Sequence, residues 1–351
     1  MKNIVNLGNV ATYINGYAFK PSDWAEDGTP IIRIQDLTGN SYQMNRFKGI
    51  VDSKYEVNNG DVLISWSASL GVYIWNRGDA VLNQHIFKVV FDKVELDKDF
   101  FVFQVDNLLK RAANQAHGAT MRHLTKPVFD ALPFYLPDIK TQRLISSKFN
   151  LIGHLIEDHH NQLKKLDELI RSRFLELFGD PIVNSLKLPC KKLSALCDLK
   201  AGIFTSASEI HEFQSAKNPY PCYGGNGIRG FVDNYTQEGK FPIIGRQGAL
   251  CGNVQLATGK FRNTEHAVVV KPKVNLNVIW LYEALILENL NRLHTGAAQP
   301  GLSVNTLNQI NIPVPSIIEQ DKYEHLFIQL DKSKYRGTIS LHLLEDVSHM
   351  L

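Results

Sequence analysis

The sequence predicts an α+β protein built twice: two pseudo-repeated mixed domains of α and β structure, separated by two long antiparallel coiled-coil helices. Three observations predict it. The segment from Gly118 to Gln142 returns 178 positions later, from Gly296 to Gln320, so that Leu124 falls on Leu302, Leu132 on Ile310, Pro137 on Pro315 and Gln142 on Gln320 without a gap. Each copy follows a long mixed segment and precedes a helix with heptad patterning. A length of 351 residues is well above the roughly 100 to 200 expected of one domain. The period far exceeds the roughly 20 to 50 residues of a solenoid repeat, so the repeated object is a domain with a helical arm.

The first domain, assigned to residues 1–140, reads as short β-like runs punctuated by Gly and Asn. They are Pro30–Ile34, Asp61–Ser65 and Ile86–Phe91. A helix follows from about Phe100 to Ala116, with Phe101, Val105, Leu108 and Ala112 on one face. The second domain, residues 181–318, repeats the order with Phe241–Gly245, Ala267–Val270 and a helix from about Val278 to Leu293.

Between them, residues 141–180 form the central arm. Ile145, Phe149, Ile152, Ile156, Leu163, Leu166 and Ile170 keep a 4-3 alternation interrupted only by His159, the seam of a coiled coil. Lys164, Lys165, Asp167, Glu168, Arg171 and Arg173 suit its solvated side, and Gly179-Asp180-Pro181 ends it. About 37 residues at about 1.5 Å each make a rod of roughly 55 Å. The C-terminal arm, residues 319–351, carries the same seam at Tyr323, Phe327, Leu330, Leu341 and Leu344, but Lys334 and Gly337 break its middle. A mid-helix glycine costs roughly 1 kcal/mol against alanine. This arm is therefore expected to be the weaker, supported by antiparallel packing on its partner.

Composition excludes several classes. A hydrophobic fraction of 44% and a charged fraction of 21% belong to a globular protein. No apolar run reaches the roughly 18 residues of a membrane span and the N-terminus is no signal peptide, which implies a cytoplasmic protein without membrane contact. Cys190, Cys197, Cys222 and Cys251 all lie in the second half without Cys-x-x-Cys spacing, and read as ordinary reduced thiols. A net charge of +3 is low for a protein that grips nucleic acid unaided.

Two variable α+β domains alternating with two long helices resemble the specificity subunits of type I restriction-modification systems, over essentially the whole chain. The resemblance is carried by Leu7-Gly-Asn-Val10 and Lys192-Leu-Ser-Ala-Leu196 opening the domains, and by the segment Tyr223 to Val232. It is carried also by the exits Leu136-Pro137 and Val314-Pro315 followed by Gln142 and Gln320, and by the arm end Arg171 to Asp180. It implies that each domain is a target recognition domain reading one half of a split double-stranded DNA site. The helices would act as ruler and as docking surface for two methyltransferase subunits, joined in the full complex by restriction subunits. The chain itself would be non-catalytic and carry no cofactor, with S-adenosylmethionine and ATP on the partners. A rod of roughly 55 Å sets the readers at most about 16 base pairs apart at about 3.4 Å per pair.

Base edges are read by paired donors or acceptors on a rigid frame: Arg or Lys to guanine, Asn or Gln to adenine, Ser and Thr more permissively. In the first domain such residues beside strand-like runs are Arg33, Gln35, Ser65, Ser67, Arg77, Asn83, Gln84 and Arg122. In the second they are Tyr223, Asn226, Arg229, Arg246, Gln247, Asn263 and Gln299. Chemistry differs at matching places, as two readers of different half-sites require. The paired His85 and His266 point instead to a shared structural role.

Rival readings have specific obstacles. Gly225-x-Gly227-x-x-Gly230 spells a dinucleotide fingerprint, but Pro219 and Pro221 precede it and no helix-forming run follows. The glycines read as a surface loop. His154, His159 and His160 lack the spacing for a shared metal site, and His159 falls on the seam. No phosphate-binding loop, Asn-Pro-Pro-Tyr or Asp-Pro-Pro-Tyr methyltransferase motif, or nucleophile with its base is present. A coiled-coil protein scaffold without DNA specificity is the alternative, separated from the first reading by a salt-dependent shift on specific duplex.

Overall fold

Alternating apolar residues set the sheets of both halves. The computed structural model describes residues 3–115, 124–248, 250–296 and 300–350, and the chain divides into two units, Met1–Leu155 and Ile156–Leu351. In the first, Thr12–Asn15, Ile86–Val90, Val62–Ser65 and Gly71–Ile74 form an antiparallel sheet in that order. Successive strand residues point to opposite faces. Val62 and Ile64 accordingly enter one core with Phe87 and Val89, while Leu63 enters another with Trp75 and Ile86. Helix α1, Lys98–Gln115, covers the first core with Phe101, Val105 and Leu109, all essentially inaccessible. A five-stranded sheet is built around Thr29–Ile32 and Ala80–Leu82, which pair in parallel. The first and last strands, Ile4–Asn6 and Pro133–Tyr135, pair with each other. The long helix α2, Ile139–Phe178, then begins in this unit and ends in the next.

The second unit repeats this plan with longer strands. Its six-stranded sheet runs Cys197–Ala201, Ala267–Pro272, Gln237–Gly245, Val254–Asn263, Tyr220–Gly224 and Gly227–Val232. The glycine-rich segment expected to be a surface loop is thus mostly strand. Tyr220–Gly224 and Gly227–Val232 form an antiparallel hairpin, and the former lies parallel to Val254–Asn263. Prolines 219 and 221 obscured it; Pro221 is tolerated because it faces Phe231, whose own N–H and carbonyl both bond His211 on the far side, so no ladder bond needs the missing N–H. Val268 and Val270 enter the core with helix α3, Val278–Leu287, whereas Ala267 and Val269 enter a second core with Phe241 and Phe261. Opening and closing strands, Cys190–Lys192 and Asn311–Pro313, again pair.

The residues that aligned the repeat make equivalent bonds. In the first unit the buried Gln142 accepts from the backbone N–H of Asp97 (2.9 Å) and donates to the Pro137 carbonyl (2.8 Å). In the second, buried Gln320 accepts from the N–H of Asn277 (2.9 Å) and donates to the Pro315 carbonyl (2.9 Å). Asp97 and Asn277 cap α1 and α3, accepting from Phe100 and from Ile279 and Trp280 respectively. One amide therefore ties each domain helix to its arm. Gln142→Leu or Gln320→Leu leaves a buried N–H and a buried carbonyl unpaired, at roughly 1–3 kcal/mol each. A fall of that size in urea-unfolding stability is expected, and a leucine variant as stable as wild type would refute the clamp.

Along α2, Ile145, Phe149, Ile152, Ile156, Leu163, Leu166 and Ile170 are half-buried or buried, as is His159, while most intervening positions are exposed. In the first unit Phe149 stacks on Phe103 with centroids 4.9 Å apart. The C-terminal arm α4, Ile317–Met350, turns Phe327, Leu330, Leu341 and Leu344 inward. Within the second unit Phe174 meets Tyr323 (centroids 5.3 Å), Asp167 pairs with Lys334, and His160 lies 3.6 Å from Glu345. Ascending α2 while descending α4 makes the pair antiparallel. The apolar seam of α4 is interrupted at Lys334 and Gly337, but the helix itself runs on through both. Lys334 reaches out to Asp167, and a Cβ at Gly337 would sit 3.1 Å from Leu163 Cδ2. The glycine lets the arms approach at that point.

Candidate nucleic-acid interface

Each unit carries the same backbone frame at the strand ends of its own sheet. In the first, the N–H of Trp66 donates to the His85 carbonyl (3.3 Å) and the Trp66 carbonyl accepts from Leu124 (3.1 Å). In the second, the N–H of Arg246 donates to the His266 carbonyl (3.0 Å) and its carbonyl accepts from Leu302 (2.8 Å). A glycine is required beside each station. A Cβ on Gly16 would stand 2.0 Å from the Asn83 carbonyl oxygen, and one on Gly202 would stand 1.8 Å from that of Asn263. The paired histidines thus hold the frame through their backbone.

The side chains mounted on this frame differ. Trp66 stacks on Phe87 (centroids 5.6 Å) and donates its indole N–H to Asn15 Oδ1 at 3.2 Å. Arg246 is half-buried, and its buried Nε has no hydrogen-bond partner among the described residues. A buried donor without an acceptor is uncommon in proteins, and Arg262 Nε of the same unit is left in the same state.

Several first-unit candidates are linked through short bonds. Arg33 donates to Asp36 Oδ2 (3.2 Å) and to the Gln43 carbonyl (3.2 Å), and Arg77 donates to the Asp36 carbonyl (3.0 Å) while lying over Trp75. The two guanidiniums brace the turn Ile34–Leu37, from which Gln35 is exposed. Asn83 lies beside this group through its N–H to the Ile32 carbonyl (3.1 Å), whereas Gln84 donates its N–H to the Tyr17 carbonyl (2.8 Å). Ser65 requires correction as a reader. It is inaccessible and donates to the Ser67 carbonyl (3.2 Å) because it ends a fully buried strand. Ser67 is also buried. Arg122 lies outside the described residues.

In the second unit, Asn226 occupies the turn of the glycine hairpin and accepts from Asn253 (3.2 Å), and Arg229 is exposed on its outgoing strand. Gln247 is exposed, and its backbone bridges to Gly301. Tyr223 and Asn263 are corrected to structural roles. Tyr223 is buried against Phe261, its hydroxyl held above the usual tyrosine range by burial, and Asn263 donates to the Ala267 carbonyl at 2.9 Å. Gln299 lies outside the described residues. Cys222 is fully buried, and burial pushes its thiol up, away from a nucleophilic thiolate.

Reasoning from residue type missed Asn15 and Asn253, which orient Trp66 and Asn226, and the exposed apolar pair Ile203 and Phe204 beside Gly202. The signal for the last was the glycine: a tight approach of two segments forces the following residues outward.

Comparison with known proteins finds the duplication as well. The family model described as type I restriction modification DNA specificity domain matches residues 2–168 and again residues 191–337. The type I restriction enzyme EcoprrI specificity subunit of Escherichia coli is 45% identical over 340 residues, covering 90% of this chain and 84% of the relative. The MjaVIII specificity subunit of Methanocaldococcus jannaschii is 19% identical over 362 residues, covering 90% and 83%. Among solved structures, the type I restriction-modification S subunit from M. genitalium superposes with a TM-score of 0.63 at 17% identity, covering 99% of this chain and 94% of that one.

Proposed function

Because the chain belongs to the family of type I restriction-modification DNA specificity proteins, we propose that it supplies the sequence specificity of such a complex, reading a split DNA site with one half to each unit. The observation that carries this reading is the common backbone station holding Trp66 in one unit and Arg246 in the other. One frame with different chemistry is what two readers of unlike sequences need. The chain performs no catalysis itself. Its arms dock two methyltransferase subunits, which bring S-adenosylmethionine and methylate adenine, and ATP-driven restriction subunits complete the assembly. The arms also act as the ruler between half-sites. With a net charge of +3, the chain draws further phosphate contacts from these partners.

The test is single-molecule methylation mapping of genomic DNA with and without the gene. A split motif bearing methyladenine in both halves, lost on deletion, supports the reading. A complex that methylates DNA equally with or without this chain sinks it and favours the scaffold. For the second reader, Arg246→Ala is expected to cost about 1–3 kcal/mol of binding to the specific duplex and to relax one half-sequence only. Competition binding with duplexes altered in one half at a time measures this, and relaxation of both halves would contradict one reader per half.

A further inference from the structure

Where the first unit stacks two aromatic rings, the second buries a carboxylate. Counting from the matched caps Asp97 and Asn277, Phe103 corresponds to Glu283, and by the repeat offset Phe149 corresponds to Phe327. Glu283 is 7% exposed and lines a cleft of about 500 Å³ formed by α3 and the two arms within the second unit. No hydrogen bond reaches its carboxylate among the described residues. Of the two cations in the lining, Arg171 and Lys334, Lys334 is engaged by Asp167, and Asp331 adds another negative charge. Burial foremost pushes the Glu283 carboxyl up to about 7, against the lowering influence of Lys334. An aromatic pair fits this place in the sister unit, so an isolated buried carboxylate is an expensive choice.

We propose that this cleft receives a cationic side chain, arginine or lysine, from a methyltransferase subunit docked on the arms. The lining fits both ends of such a side chain. Phe327 and Leu287 offer an apolar wall to the alkyl stem, and Glu283 with Asp331 faces the charged head. Arginine in particular pairs with a carboxylate through two parallel bonds in a partly desolvated setting. The inference rests on the reading of the arms as a docking surface.

The experiment measures association of the full-length chain with purified methyltransferase subunits, for wild type and for Glu283→Gln, at pH 6 and pH 8. Glu283→Gln is expected to weaken association at least tenfold at pH 8. Wild-type association tightens from pH 6 to pH 8 as Glu283 ionises, beside Asp167, Arg171, Tyr282, Asp331 and Lys334, and the variant loses this dependence. The lone chain gives an independent readout. A carboxyl whose folded value is raised favours the fold at low pH and loses that contribution as pH rises through about 7. The variant alone should therefore melt at or above the wild-type temperature at pH 8. Association within twofold of wild type overturns the proposal, as does a variant that melts lower at pH 8. If wild-type chain fails to bind the subunits at all, the docking reading itself falls, an outcome distinct from equal binding by both proteins.

Discussion

Inserting one heptad into each arm, beside Leu163 in α2 and beside Gly337 in α4, is expected to lengthen the unread gap of the DNA site by about three base pairs. The arms pair antiparallel at these two residues, so matched insertions preserve the seam, whereas a single insertion leaves seven residues unpartnered. Seven residues add roughly 10 Å at about 1.5 Å each, and a duplex rises about 3.4 Å per pair. Modification of the original motif should fall to background while a longer-gapped motif with the same two halves appears. Methylation mapping reads both at once. Altered half-sequences, or an unchanged gap, would show that the arms do not set the spacing.

The second large effect is expected at the glycines that hold each frame. Gly202→Ala drives a Cβ to within 1.8 Å of the Asn263 carbonyl oxygen, and the nearest atoms it meets, on Asn263 and Thr264, are all backbone that cannot turn aside. Overpacking that must be relieved by moving strands costs more than about 3 kcal/mol. Hydrogen exchange should accelerate across Ala267–Pro272, with Ile86–Val90 unaffected, and methylation should lose discrimination in one half-sequence. Gly16→Ala should produce the mirror result. If Gly202→Ala loosened both units alike, the frames would not be independent.

Much of the architecture was legible because helices and repeats write themselves in periodicities. The seam of α2 follows a 4-3 spacing that survives its histidine, and the offset between Gln142 and Gln320 located the clamps before their bonds were known. The interruptions of the α4 seam at Lys334 and Gly337 were legible, but what fills them was not, because propensity describes an isolated helix. In the paired arms a missing side chain admits Leu163, and a long one finds Asp167. Candidate readers were less legible. Ser65 and Asn263 have suitable chemistry, yet strand ends buried on both faces consume it, and sequence carries no mark of which end of a strand reaches solvent. The hairpin at Tyr220–Val232 was hidden for a related reason, since its glycines and prolines signal a turn in most settings. Arg246 was nominated for its type, but its unsatisfied Nε is visible only once its neighbours are placed.

In each unit the opening strand is zipped to the closing one, Ile4–Asn6 to Pro133–Tyr135 and Cys190–Lys192 to Asn311–Pro313. The consequence is genetic as much as mechanical. A module whose two ends lie side by side can be lifted out and another inserted with little disturbance to what remains, provided the newcomer brings the same fastening strands. Recombination between related genes within the stretches encoding those strands and arms would hand a cell a new pairing of half-sequences in one event, without passing through a misfolded intermediate.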